Sequence, residues 1–262
     1  MFTRYSNGGI PMVKIQCERT ALVSFLSSFG NHVEDMRIEC AGGRLTVEVA
    51  YSKYYIRKQM VGVTVVDEGA IHIATLTKAL KFLKASKSDT VTIRQTAPTK
   101  PLHIEIGGNK LQLPSTDDIE SAAKAVIVRK LLKNSHDNNW TKFSKDELIA
   151  HGSIHTKDLL SLSGMGGLVA KESQFVMRVH CGEDEFGIVA GKASSGRIFT
   201  SIPVKDTDGP AATVQTSFGE WLPTCLSNLD EGVAQFHMGN DTIVIFEQDN
   251  ATLLVVNEVG DE

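Results

Sequence analysis

His151 and His155 stand four residues apart, a spacing that brings two imidazoles to one metal ion when the segment is helical. The letters around His151, ELIAHGSI (147–154), alternate as a strand does, and His155 falls where a helix should begin. The pair reads as surface or hydrogen-bonded histidines. Gly187-Ile188-Val189-Ala190-Gly191-Lys192-Ala193 resembles a phosphate loop, but it is one residue short and has alanine where a hydroxyl must hold Mg²⁺. Gly164-Met165-Gly166-Gly167 has Val169 at the last glycine position of a dinucleotide fingerprint and follows a helical stretch rather than a strand. Glu183-Asp184-Glu185 sits at an expected hairpin tip, where a solvated turn suffices. Cys17, Cys40, Cys181 and Cys225 form no CxxC pair and read as free thiols of a reducing compartment. No Ser/His/Asp or Cys/His set can be assembled. The reading is therefore of a protein that is not an enzyme and needs no metal or cofactor.

A different chemistry is written in KALKFLKASK (78–87), which places lysine at every third position and contains no acid. At 100° per residue, Leu76, Ala79, Leu80 and Leu83 share an arc of about 100°. Lys78, Lys81 and Lys84 share the opposite arc, about 120° wide, while Lys87 lies off it. Two readings fit. Lysine favours helices and often faces water for no further reason. Alternatively, three like charges without an i,i+4 acid to relieve them suit a phosphate backbone, contacted without regard to base identity.

The elements that must hold this helix come in a repeated order. MVKIQCE (12–18) alternates as a strand, and RTALVSFLSSFGNH (19–32) has helical spacing. DMRIECAG (35–42), RLTVEVAY (44–51), YYIRKQMVG (54–62) and AIHIAT (70–75) read as four strands before the lysine helix. TVTIRQTA (90–97), LHIEIGG (102–108) and KLQLPS (110–115) follow it. The second half repeats this plan. ELIAHGSI leads to a helix over HTKDLLSLSG (155–164) with Thr156 as its expected cap. QFVMRVHC (174–181), EFGIVAGK (185–192), GRIFTSIPV (196–204) and AATVQT (211–216) are its four strands. SFGEWLPTCLSNL (217–229) is a helix whose Pro223 must lie in the first turn or kink it. GVAQFHMG (232–239), TIVIFEQD (242–249) and ATLLVVNE (251–258) close the chain. The fold class is α+β, with the order β-α-β-β-β-β-α-β-β-β present twice. The expected division is a domain over 1–116, a connector over 117–146 and a second domain over 147–262.

The 262 residues are 42% hydrophobic and 22% charged, which suits soluble domains with their own cores. The formal net charge is −4, so any nucleic-acid contact must be local to one face, with acidity elsewhere. The opening residues carry no apolar signal region and no run approaches the ~20 residues of a membrane span. The expectation is a cytosolic-type protein, in the cytoplasm or nucleoid, or in a host cytoplasm if the source is a virus or phage.

With its doubled order, the sequence resembles the sliding clamps, the processivity factors of DNA polymerases, in their two-domain PCNA-type or phage-type form. KALKFLKASKSDTVTIR resembles the second helix and following strand of a clamp domain. KLQLPSTDD resembles that domain's closing strand, and GVAQFHMGNDTIVIFEQDNATLLVVNE a clamp's last three strands. The resemblance implies a homotrimeric ring around double-stranded DNA, with sheets outside and helices lining the hole. Lys78, Lys81 and Lys84, with Arg19 and Lys157, would then face the DNA. Lys110, Leu111 and Leu113 would meet Arg197, Ile198, Phe199 and Ser201 of the next subunit. A DNA polymerase and a clamp loader would dock apolar peptides against Val126, Ile127, Val128, Leu45, Leu254 and Val256. For the connector, an extended strap and a basic amphipathic helix over SAAKAVIVRKLLKNS (121–135) are both open. The rival reading is a β-rich, ring-forming structural protein of virion type with no DNA role.

Overall fold

A computed structural model describes residues 12–30, 33–114, 119–165, 175–181, 185–192, 196–210, 212–219 and 221–257. They form two compact units. The first holds the described residues up to Glu48 together with Gln59–Ala122, and the second Val49–Lys58 with the described residues from Ala123 onward.

The first unit follows the expected order with one strand more. Its elements are β1 (Val13–Glu18), α1 (Arg19–Ser27), β2 (Met36–Ala41), β3 (Arg44–Ala50), β4 (Tyr54–Val61), β5 (Thr64–Asp67) and β6 (Gly69–Ile73). Then come α2 (Leu76–Ala85), β7 (Thr90–Gln95), β8 (Leu102–Ile106) and β9 (Asn109–Leu113). Five strands, not four, therefore separate the two helices. The extra one, β5, pairs antiparallel with β1 and begins a sheet of order β5-β1-β7-β8-β9. β2 pairs with both β3 and β6. Two hairpins are closed by glycine pairs, Gly42-Gly43 (φ +57°, +72°) and Gly107-Gly108 (φ +55°, +82°). Two-residue hairpin turns of this hand need positive φ at both positions, which a Cβ penalises. α1 and α2 pack side by side. Leu22, Leu26, Leu76 and Leu83 are among the buried residues that these helices contribute.

After β9 come α3 (Glu120–Asp137), the helical alternative for the connector, which belongs to the second unit from Ala123 onward, and a short hairpin, β10 (Lys142–Phe143) and β11 (Asp146–Glu147). The repeated order then follows: β12 (Ala150–His155), α4 (Thr156–Met165), β13 (Phe175–His180), β14 (Glu185–Lys192), β15 (Gly196–Asp208) and β16 (Thr213–Phe218). α5 (Leu222–Leu226), β17 (Val233–Met238), β18 (Ile243–Glu247) and β19 (Ala251–Val256) complete it. These strands order as β16-β13-β14-β15-β12-β17-β18-β19. The Tyr54–Lys58 part of β4 pairs with β19. α5 is much shorter than its expected span because Pro223 sits at its start and has no N–H to give an earlier turn. α4 and α5 pack together, as α1 and α2 do.

Thr156 does not cap α4. Its hydroxyl donates to the carbonyl of Asp230 (2.6 Å) and accepts from the N–H of Gly232 (3.0 Å), tying the start of the helix to the entrance of β17. The helix-start bond comes instead from His155, whose Nδ1 accepts the N–H of Lys157 at 3.4 Å. The segment 187–193 is strand β14 as far as Lys192, so no phosphate loop exists there. Glycines 166 and 167 and residues 183 and 184 lie outside the described residues.

Candidate functional site

α2 forms because its apolar positions recur three and four apart, and it buries Leu76, Ala79 and Leu83. Lys78, Lys81 and Lys84 are exposed on the other side. None of the three has an ion-pair partner among the described residues. Lys84 lies in the last turn, where a cation also complements the helix dipole. Lys87 is exposed beyond the C-cap, Ser86. Arg19 behaves differently: its Nε donates to the carbonyl of Ser88 at 3.0 Å, and its N–H to that of Asp89 at 2.7 Å. That guanidinium fastens α1 to the start of β7, so it is a poor candidate for a free phosphate ligand. In the second unit Lys157 is exposed on α4, and α5 carries no basic residue.

Two of the open strand edges among the described residues carry the expected interface residues. β9 is the last strand of its sheet. Lys110 on it is exposed and lies 3.5 Å from Glu105, Leu111 is half-buried and Leu113 is buried. β15 changes neighbours along its length. Gly196–Pro203 pair with β14, whereas β12 pairs with residues 204 to 208. The first half is thus bonded on one side alone, and it carries Phe199 at 70% exposure with Ser201 exposed and Ile198 half-buried. Arg197 belongs to this strand.

The residues expected to hold partner peptides fall in different surroundings. Leu45 is fully buried in β3 of the first unit and offers nothing to a ligand. Leu254 is only 3% exposed, because α3 lies over it. Val128 and Val256 are half-buried against the same cluster, while Val126 (37%) and Ile127 (63%) face outward.

Searches with the sequence found no matching family model and no matching curated protein. The fold does find likenesses. The PCNA of Entamoeba histolytica superposes with a TM-score of 0.66 at 10% identity, covering 95% of this chain and 99% of that one. A. fulgidus PCNA, bound to the C-terminal region of FEN-1, gives 0.64 at 13% identity over 95% of this chain and all (100%) of that one. The H. pylori beta clamp gives 0.63 at 14% identity over 95% of this chain. The chain has the DNA sliding-clamp fold. It spans 64% of the H. pylori protein's length but matches the PCNA chains end to end.

Beside α3 this clamp fold carries a feature that the sequence reading missed. Trp140, just after the helix, stacks on His237 of β17 with centroids 4.3 Å apart and planes 10° apart. His237 Nδ1 lies 3.0 Å from His151 Nδ1, so one neutral ring donates to the other. Its Nε2 is 3.9 Å from Glu247, too far for a hydrogen bond. Burial, then the neighbouring His151, pushes His237 down from near 6.5 to about 3. Burial also lowers His151, against smaller raising effects of the Leu148 carbonyl and Asp208. Glu247 is raised by burial, against smaller lowering effects of His136 and Arg57.

The sign of the pH effect follows from these directions. A histidine whose folded pKa is depressed contributes fully above its unfolded pKa, and that contribution fades as pH falls below about 6.5. Glu247, being raised, works in the opposite sense at lower pH. The urea stability of the second unit is expected to drop by roughly 2 kcal/mol between pH 7 and pH 5. His237→Phe, which keeps a ring against Trp140 but cannot titrate, should remove most of that slope. An equal slope in the variant would reject the assignment.

Proposed function

We propose that this protein is a DNA sliding clamp that confers processivity on a replicative polymerase by encircling duplex DNA as a homotrimer. The observation that carries the reading is the acid-free lysine face of α2 within a chain that matches PCNA over 95% of its length. Lys78, Lys81 and Lys84 face the duplex, Lys157 adds to them, and Arg19 contributes through the anchoring of α1. Each lysine–phosphate contact is weak and exchangeable, so the ring slides rather than grips. The open half of β15, with Arg197, Ile198, Phe199 and Ser201, pairs head-to-tail with Lys110, Leu111 and Leu113 on β9 of the next copy, which also removes two exposed edges.

No chemical step is required of such a protein. It holds a polymerase near the primer end by raising its effective concentration there. A clamp loader opens the ring. FEN-1 on A. fulgidus PCNA, and a DNA ligase peptide on the H. pylori beta clamp, support partner docking in this fold. Among the described residues no helix is long and apolar enough to cross a membrane. Light scattering at micromolar concentration tests the ring, with an expected mass near three times 28.5 kDa. A monomer mass would count against a stable ring.

A further inference from the structure

We propose that the acidic segment 258–262 docks in cis on a cationic depression in the sheet of the second unit, where Arg178 receives its carboxylates. The depression arises where a side chain is missing. Arg178 of β13, Gly187 of β14 and Ser201 of β15 stand in one row across the sheet, and Gln215 of β16 continues the row beyond Arg178. This row is on the face turned from the core, because Val179, Ile188 and Ile202 next to it are buried and successive side chains alternate. A Cβ added to Gly187 would meet nothing nearer than the Arg178 carbonyl, 4.0 Å away. The gap belongs to a cavity of about 280 Å³ that Arg178 and His180 help to line. Arg178 is exposed and has no ion pair among the described residues. His180 Nδ1 is buried and has no hydrogen-bond partner there. Glu185, opposite His180, is the one acid among the lining residues. An unpaired guanidinium beside an unsatisfied imidazole suits a carboxylate, which arginine can hold through two parallel hydrogen bonds.

The same chain supplies such carboxylates within reach. Asn257 is fixed at the end of β19: its N–H donates to the Thr242 carbonyl at 2.6 Å, and its side-chain amide to the Asp241 carbonyl at 2.7 Å. The N–H of Asp241 in turn donates to the Gln215 carbonyl at 2.7 Å. Gln215 is the register partner of Arg178. Asn257 thus stands three hydrogen-bonded steps from Arg178, about 15 Å at ~5 Å a step. Five extended residues span about 17 Å, which brings Asp261 and Glu262 to the guanidinium. The segment 258–262 reads EVGDE, with three acids and no base. Tethering holds it at a local concentration on the order of millimolar, so a few charge-assisted hydrogen bonds suffice to dock it.

Every group involved belongs to one unit of one chain, so the contact stands whether or not a ring forms. A glutamate-specific protease added to the native full-length protein reads it, because cleavage after Glu258 requires the segment to leave the sheet. Release of residues 259–262 is expected to be at least tenfold faster from Arg178→Glu than from wild type. Gly187→Val, which fills the gap without altering charge, should accelerate release to a similar degree. Lys100→Glu, the same change of charge in the first unit, should leave the rate as it is. An unchanged rate in either pocket variant, with native circular dichroism, would overturn the proposal. Should a variant not fold, nuclear relaxation on the wild type decides. Order parameters of the Asp261 and Glu262 amides above about 0.6 support docking, and values below that reject it. A monomer mass in solution would remove the ring and leave this contact untouched.

Discussion

Reversing Lys78, Lys81 and Lys84 together to glutamate is expected to cut equilibrium affinity for a short linear duplex by on the order of 10²- to 10³-fold at about 150 mM salt. The estimate follows from counterion release, in which each neutralised phosphate adds about 0.9 to the slope of log affinity against log salt. The three side chains are exposed and have no ion-pair partner among the described residues, so their loss leaves no buried group stranded there. Circular dichroism, thermal midpoint and solution mass should be unchanged. Single reversals should act roughly alike, since phosphate contacts position the protein without reading sequence. Lys87→Glu, which lies off the face, is the internal control and should have a several-fold weaker effect. If the triple variant assembles normally and binds the duplex as well as wild type, the lysine face is only a solvated surface and the structural-protein reading gains.

The parts legible in the sequence are those where a local period matches a local element. The α2 stripe was readable because Leu76, Ala79 and Leu83 are large or small in a regular alternation around the helix, with lysines opposite. The second half was readable as β-α-β-β-β-β-α-β-β-β because each strand is bounded by turn formers. β5 escaped because Thr64–Asp67 is four residues long, too short to show a period of two between Gly62 and Gly69. α3 was left open as strap or helix because small residues dilute its buried stripe. Ser121, Ala125 and Ser135 are buried with Leu132, while the more apolar Val126 and Ile127 face water.

His237 was invisible because its partner His151 is 86 residues away and its stacking partner Trp140 lies in a loop. One signal was present and unused. IVIF in β18 and ATLLV in β19 are unbroken apolar runs, which point to a cover on the outer face and hence to α3. Leu45, an apolar residue in a strand carried over by position, is fully buried.

Phe199→Asp is expected to reduce the solution mass from about three times 28.5 kDa to that of one chain, at protein concentrations where wild type is fully assembled. Phe199 is 70% exposed on the half of β15 that has a strand on one side alone. A large exposed aromatic on an open edge is costly in water and enriched at the centre of interfaces, where truncation of such anchors typically costs ≥ ~2 kcal/mol. In a closed ring of identical joints each copy carries one such joint, so the loss recurs at every interface and destroys closure. Within a single chain the same substitution touches water, and its effect on the urea midpoint of the monomer should stay within about 0.5 kcal/mol. That separation makes the measurement decisive. A variant that unfolds would show Phe199 to be packed, and one that remains a trimer would move the joint away from β15. A variant that is folded and monomeric would leave the lysine face of α2 intact but unable to encircle anything, so retention on circular DNA should vanish with it. Loss of retention without change of charge is the result that ties sliding to topology rather than to affinity.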